Sequence, residues 1–306
     1  MARSDNLTGA LLMMGSMAAF TFNDAMIKGL AGSLPVFQVM FLRGILTTLM
    51  VGAVAWWMGA LSRRLPRADW GPVFWRMVGE IGSAYFFVTA LFHMPIANIS
   101  AIMQALPLTI TLAAALFFRE PVGWRRMAAI LVGFVGVMLI VRPGTEGFTI
   151  YSVYGLAAVA FVTLRDLATR RLSRDVPSML VTLITSASIM TAFGVASLTE
   201  PWVPVDGRSA LLILGASVMI IGGYLCSIMV MRVGEISFVA PFRYTSLIWA
   251  LILGWVVFGD WPQTITLVGA AIVVASGLFT LYREAQVNRR ARMARQRELS
   301  LGPRPR

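Results

Sequence analysis

Long apolar runs separated by brief polar punctuation set the pattern of this chain. Ten can be drawn, near residues 7–29, 35–59, 72–94, 96–118, 124–142, 151–170, 178–199, 208–231, 236–258 and 262–282. As helices they match a bilayer hydrocarbon core of about 30 Å. The breaks carry turn residues, as in Gly32-Ser33-Leu34-Pro35, Arg63-Arg64-Leu65-Pro66, Arg142-Pro143-Gly144 and Glu200-Pro201-Trp202. Most breaks are short, which predicts antiparallel neighbours. Two runs differ from the rest. Residues 96–118 hold no charge yet carry Asn98, Gln104 and the helix-interrupting Pro107, and residues 236–258 repeat that arrangement with Pro241, Arg243 and Tyr244.

The likeness extends through both halves. At an offset of 142, Asp24, Lys28, Leu30 and Pro35 meet Asp166, Arg170, Leu172 and Pro177. At an offset of 140, Gly82, Ile96 and Glu120 meet Gly222, Ile236 and Asp260. Five spans per unit is an odd number, so the second unit enters the membrane upside down. The fold class expected is an all-α membrane protein of ten transmembrane helices in two inverted five-helix repeats, residues 1–148 and 149–283, followed by a basic cytoplasmic tail at 284–306. That tail reads as mobile, with helix where it meets anionic headgroups.

Composition agrees. Of the 306 residues 58% are hydrophobic and 13% charged, and the mean hydropathy is +0.77. Soluble domains carry about 25% charged residues. The net charge of +12 suggests nucleic acid until its positions are read. With the N-terminus inside, eleven Lys/Arg residues fall on the inner side before the stretch from Arg283 onward adds eight more, against Lys28, Arg142 and Arg208 outside. That imbalance is the positive-inside pattern. It places both termini in the cytoplasm, of a bacterial inner membrane, and argues against a nucleic-acid partner. Leu7 onward reads as a retained first helix rather than a cleaved leader.

Ten spans in paired halves, an acidic residue closing the fourth and ninth (Phe118-Arg119-Glu120-Pro121 and Phe258-Gly259-Asp260-Trp261) and glycine-rich fifth and tenth spans (Gly133, Gly136; Gly269 to Gly277) resemble the drug/metabolite transporter superfamily, specifically its EamA-type members. The resemblance covers residues 7–283. It implies a ten-helix transporter in a family that moves amino acids, nucleotide-derived cofactors, riboflavin-like vitamins and drugs, inward or outward.

Charges inside spans are costly and mark cavities or partners. Asp24, Lys28, Arg43, Arg76, Glu80, Arg165, Asp166 and Arg243 qualify. Depth along each helix predicts two ion pairs, Asp24–Arg43 in the outer half and Glu80–Arg243 in the inner half. They bind substrate or act as gates in one reading and fix helix register in the other. Asn23, Asp24, Arg43, Glu80, Tyr85, Gln104, Arg243, Tyr244 and Trp249 form the candidate substrate site; Asp24, Lys28, Glu80 and Asp166 are the gating or coupling candidates. Lys28 also has a plainer account, pairing with Asp24 or snorkelling to the interface. Phe20, Phe22, Phe86 and Trp255 are further rings able to stack on a planar solute, while Gly82, Gly133, Gly136, Gly222 and Gly223 suit close helix packing.

Catalytic signals are missing from the sequence. His93 is single, Cys226 is single, and no phosphate loop with its lysine occurs. The expectation is a non-enzymatic secondary transporter with no cofactor and no metal. Its partners are a small-molecule substrate, membrane lipids and a coupling proton or ion. Buried arginines outnumber buried acids, which favours anionic or electron-rich solutes: amino acids and derivatives first, then riboflavin-like, nucleotide-like or S-adenosylmethionine-like cofactors. A lipid-linked carrier flippase is the alternative of another class.

Overall fold

The apolar runs become helices in a computed structural model that describes residues 2–59, 65–119, 122–144, 148–173, 176–233 and 236–300, leaving aside the side chains of 2–5, 231, 232, 236, 237, 284 and 288–300. In chain order these are α1 (Ala2–Lys28), α2 (Val36–Trp57), α3 (Trp70–His93), α4 (Ile96–Met103), α5 (Leu106–Phe118), α6 (Trp124–Val141), α7 (Ile150–Arg170), α8 (Ser178–Ala196), α9 (Gly207–Val233), α10 (Ile236–Val239), α11 (Thr245–Phe258) and α12 (Thr264–Ser300). No strand occurs among the described residues. Glu120, Arg63, Arg64 and Arg174, which entered the repeat and the charge balance, lie outside them.

Nine stretches of the described residues are helical, long and apolar enough to cross a membrane. The third expected span, α3, is a helix of 24 residues but is not one of the nine. Its Arg76, Glu80, two tryptophans and a tyrosine dilute its apolar character. The fourth span is split by a turn at Gln104–Ala105 ahead of Pro107, and the ninth by a 3-10 segment, Ala240–Tyr244, that opens on Pro241. Proline has no amide hydrogen to continue an α-helix, so the breaks fall where the sequence places them. The equivalence of the units extends to the backbone. Arg119 and Gly259, 140 positions apart, end α5 and α11 in the left-handed conformation, with φ of 54° and 69°. Helix α12 continues past residue 283 to Ser300, so the basic stretch begins as an extension of the last span.

Helices pack between the halves in a regular exchange. The first helix of each unit lies along the third helix of the other, α1 with α9 and α7 with α3, while α2 pairs with α8 and α6 with α12. Small residues make these approaches close. A Cβ on Gly136 would stand 2.8 Å from the carbonyl oxygen of Gly269, and one on Gly269 would stand 2.6 Å from that of Gly136. The gain is van der Waals packing between backbones, the main attraction left to helices in lipid.

Polar clasps join the halves at both ends of the bundle. At the inner end predicted from charge, Asp69 is 2% exposed and its Oδ1 accepts from the amide and hydroxyl of Ser173, at 2.9 and 3.0 Å. At the other end, Glu200 accepts from the Phe37 amide at 3.1 Å, satisfying one of the unpaired donors that begin α2. Beside it, fully buried Gln38 donates to Val203 O at 2.7 Å and accepts from its amide at 3.0 Å. Each clasp ties the stretch after a unit's second helix to the place where the other unit's first helix gives way to its second.

Candidate functional site

A charged centre forms where α3 crosses α7. Gly79 makes it possible, because a Cβ there would lie 2.7 Å from the backbone nitrogen of Arg165. The crossing brings neighbouring Glu80 to Arg165, Oε1 to Nη1 at 3.5 Å, and Arg165 Nε donates to Asp166 Oδ1 at 2.9 Å. These side chains are buried to an intermediate degree, with 14%, 26% and 29% of their surface open for Glu80, Arg165 and Asp166. The predicted partner was Arg243. It stands exposed on the 3-10 segment before α11, and Glu80 meets Arg165 instead. Depth along a helix places two residues at one level but does not say which helices touch.

The centre continues through α1, α2 and α9. Arg43 on α2 is within electrostatic reach of Asp24, Glu80 and Tyr224. The expected Asp24–Arg43 ion pair is not closed by a direct contact, and the hydrogen bond that Asp24 accepts comes from Asn23 Nδ2 at 2.8 Å. Tyr224 on α9 also feels Arg165 and Arg76, and its ring meets Phe20 edge-on at 5.4 Å. Phe20 and Asp24 share a face of α1, one turn apart. Polar atoms of the centre that are buried with no hydrogen-bond partner include Arg43 Nε, Glu80 Oε2 and Asn23 Oδ1. An unsatisfied buried polar atom costs about 1–3 kcal/mol, so these are atoms that water or a bound solute would satisfy.

Rings adjoin this centre. Tyr85 lies 5.9 Å from Phe37, 5.1 Å from Phe86 and 6.2 Å from Tyr154, while Phe86 stacks on Phe161 at 5.5 Å. The Phe161 ring occupies the space over Gly82, where a Cβ would come within 2.4 Å of it. Tyr151 extends the chain of rings to His93, stacked at 4.1 Å near the end of α3. His93 Nδ1 is 2.7 Å from Thr89 O, and among the described residues no group of three or more potential metal ligands occurs.

Several expected site residues serve the helices themselves. Gln104 is 7% exposed, and its Nε2 donates to Ser246 Oγ at 3.1 Å and Tyr244 O at 3.4 Å, bridging one broken helix to the other. Tyr244 is also 7% exposed and its hydroxyl presses against Gly277 of α12, so closely that a Cβ there would overlap it. Lys28 donates to Met94 O at 2.7 Å and Leu91 O at 3.3 Å, closing the end of α3, and lies over the Phe258 ring at 5.4 Å. It is not bound to Asp24. Trp249 pairs with Phe22 at 6.2 Å, and Phe22 points nearly opposite to Asp24 around α1.

Two members of the centre were not among the residues expected to bind. Arg165 was visible as an intramembrane charge beside Asp166, with Gly79 next to Glu80 as the signal of a close crossing. Tyr224 was detectable only as the one tyrosine of an apolar span, following Gly223, which lets Phe20 approach α9.

Comparison with known proteins adds a family and several relatives. The family model described as the EamA-like transporter family matches residues 7–142 and again 149–282. The chain is 31% identical to a riboflavin transporter of Vibrio cholerae over 214 residues, 69% of this chain and 71% of that one. It is 26% identical to an S-adenosylmethionine uptake transporter of Rickettsia felis over 91% of this chain and 94% of that one. A pseudopaline exporter of Pseudomonas aeruginosa is 25% identical over 87% of this chain and 93% of the exporter. A solved crystal structure shares the fold, with a TM-score of 0.61 at 21% identity over 89% of this chain and 96% of the other.

Proposed function

We propose, from the premise that this chain belongs to the EamA-like transporter family and is a multi-pass membrane transporter of small molecules, that it is a secondary transporter working by alternating access between two inverted five-helix units. The units are residues 1–148 and 149–283, with α3 as the tenth transmembrane helix, both termini cytoplasmic and residues 284–306 as a basic tail. The exchanged pairing of first and third helices supports the inverted arrangement, since a two-fold axis in the membrane plane relates one such pair to the other. The inner membrane of a bacterium is the location. Its role is transport without catalytic chemistry.

The observation that carries this reading is the half-buried charged centre with its orphaned polar atoms. Asn23, Asp24, Arg43, Glu80 and Tyr85 remain as substrate contacts, joined by Arg165 and Tyr224. Gln104, Tyr244, Arg243 and Trp249 are left out because their side chains serve other contacts or lie away from the centre. Asp24, Glu80 and Asp166 are the groups that would carry a coupling proton, and Lys28 acts as a tether rather than a gate.

With Lys28 on backbone carbonyls and Arg243 exposed, the acids Asp24, Glu80 and Asp166 face Arg43, Arg165 and Arg76, a balanced set. Balance suits a solute carrying both signs, so amino acids and their derivatives come first. The neighbouring rings favour a second reading, a vitamin or nucleoside-bearing cofactor. Counterflow by reconstituted protein against labelled amino acids, riboflavin, S-adenosylmethionine and nucleotides tests the proposal. Saturable exchange of at least one is expected; none with any would contradict it.

A further inference from the structure

Threonines inside these helices commonly turn their hydroxyl back to the carbonyl one turn earlier, as Thr21, Thr111, Thr163 and Thr185 do at 2.7–2.8 Å. Thr47, in the middle of α2, does not. Its Oγ1 is buried and has no hydrogen-bond partner. One turn before it on the same face stands Arg43, whose Nε is buried and unpartnered as well. Among the described residues Arg43 enters no direct ion pair, whereas Arg165 is taken up by both Glu80 and Asp166. Thr48 also lacks a partner, but it follows Gly44 on the face packed against α8, where a Cβ on Gly44 would stand 3.0 Å from Met190. The face of Arg43 and Thr47 continues instead to Val51, which lines one small cleft with Tyr224 and so turns toward α9. Facing Arg43 from α1 is an acid that is equally incomplete. Asp24 lies within electrostatic reach but not in direct contact. Its neighbour Asn23, 4% exposed, donates to it through Nδ2 at 2.8 Å and leaves its own Oδ1 buried and unpartnered.

We infer that Arg43 and Thr47 seat the carboxylate of the transported solute while Asp24 and Asn23 Oδ1 receive its ammonium group, so that the substrates of this protein carry a free amino-acid end. The inference rests on the transport reading given above. A guanidinium fork meets a carboxylate through two parallel N–H bonds, and the Thr47 hydroxyl adds a third donor from the same face of α2. An ammonium group has three donors and no acceptor, and the Asp24 carboxylate and the Asn23 amide oxygen offer it acceptors only. The gap between Asp24 and Arg43 is the second observation. A closed ion pair would leave neither side anything to offer, whereas a zwitterion between them completes both, each end meeting the opposite charge. Water is the competing occupant. It satisfies each orphaned atom singly and gives the protein no preference for a solute with both charges.

The test is counterflow in proteoliposomes with labelled alanine, methionine, tryptophan and S-adenosylmethionine, which carry an amino-acid end, and with riboflavin and nucleotides, which do not. At least one of the first group should exchange saturably. For alanine, methionine or tryptophan, the methyl ester and the N-acetyl form should compete at least tenfold more weakly than the free amino acid. Thr47→Val removes the hydroxyl at nearly constant volume and should raise the half-saturating concentration about tenfold, the worth of one hydrogen bond to a charged group. Because that hydroxyl has no partner within the protein, the melting temperature in detergent should stay at the wild-type value, and Thr47→Ser should keep wild-type saturation. Exchange of riboflavin or nucleotides alone overturns the inference and leaves the transport reading standing. So do blocked amino acids that compete as well as free ones, and a Thr47→Val variant that saturates as the wild type does or melts lower. Exchange of no probe by the wild type removes the transport reading and the inference with it.

Discussion

Two polar regions of this molecule look alike in sequence and differ in structure. The broken spans, around Gln104 and Tyr244, combine proline with polar side chains and sit at matching places of the two units. The charged centre, around Arg43, Glu80, Arg165 and Tyr224, lies on unbroken helices. At the breaks, polar groups are needed to hold together backbone that proline has disrupted, and Gln104 does so across the two halves. On an unbroken helix the backbone satisfies itself, so a polar side chain is free for a neighbouring helix or a ligand. The first region is closed, with both key residues 7% exposed. The second is half open and holds unpartnered atoms. Polarity within a span thus becomes informative once the needs of its own helix have been subtracted.

The largest effect is expected at Arg165. Replacing it with Met leaves the partly buried Glu80 and Asp166 without their nearest cation, which destabilises the crossing of α3 and α7. The melting temperature in detergent should fall sharply and counterflow should vanish; a variant that melts and transports normally would show the centre to be inert. Gly79→Ala comes next. Its methyl group meets the Arg165 backbone, and overpacking of that kind costs about 1–3 kcal/mol, so melting should drop while some transport survives.

The closed region predicts a different signature. Gln104→Leu should lower stability by about 1 kcal/mol through the lost bridge, with the substrate KM unchanged. An altered KM would return Gln104 to the site. The smallest effect lies outside the membrane, at Asp206. Its Oδ1 accepts from the Ser209 amide at 2.9 Å ahead of α9. The Ser209 hydroxyl and then the Ser209 amide hold this carboxyl below the usual carboxylate range. A depressed folded value means the stabilisation is present at neutral pH, above the unfolded value, and fades as pH falls through the folded one. Melting curves of wild type and Asp206→Ala should accordingly differ slightly at pH 7 and converge in acid.

Much of the fold was legible because each span needs only its own residues to declare itself: an apolar run, a flanking Gly or Pro, a basic loop. Pro107 and Pro241 located both breaks, and the offset of 140 extends to the helix ends at Arg119 and Gly259. Half of the centre was legible for the same reason, since Asp24, Arg43 and Glu80 are conspicuous inside apolar runs. Pairing was not. Which helices touch across the halves depends on rotation and on small residues such as Gly79 and Gly223, and no count along one helix contains that information. Depth along the chain therefore points Glu80 to Arg243, whereas the helix crossing brings it to Arg165. Tyr224 has no such signal, because one tyrosine among the serines of an apolar span makes no pattern of its own.

The most direct measurement sets the two regions side by side: initial counterflow rates of Arg43→Ala and Tyr244→Phe in the same proteoliposomes, normalised to inserted protein. The centre at Arg43 predicts at least a tenfold loss for the first. The closed packing of Tyr244, whose hydroxyl has no hydrogen-bond partner, predicts a rate within twofold of wild type for the second. Loss of transport in Tyr244→Phe with Arg43→Ala still active would contradict the account and place the substrate path at the broken helices.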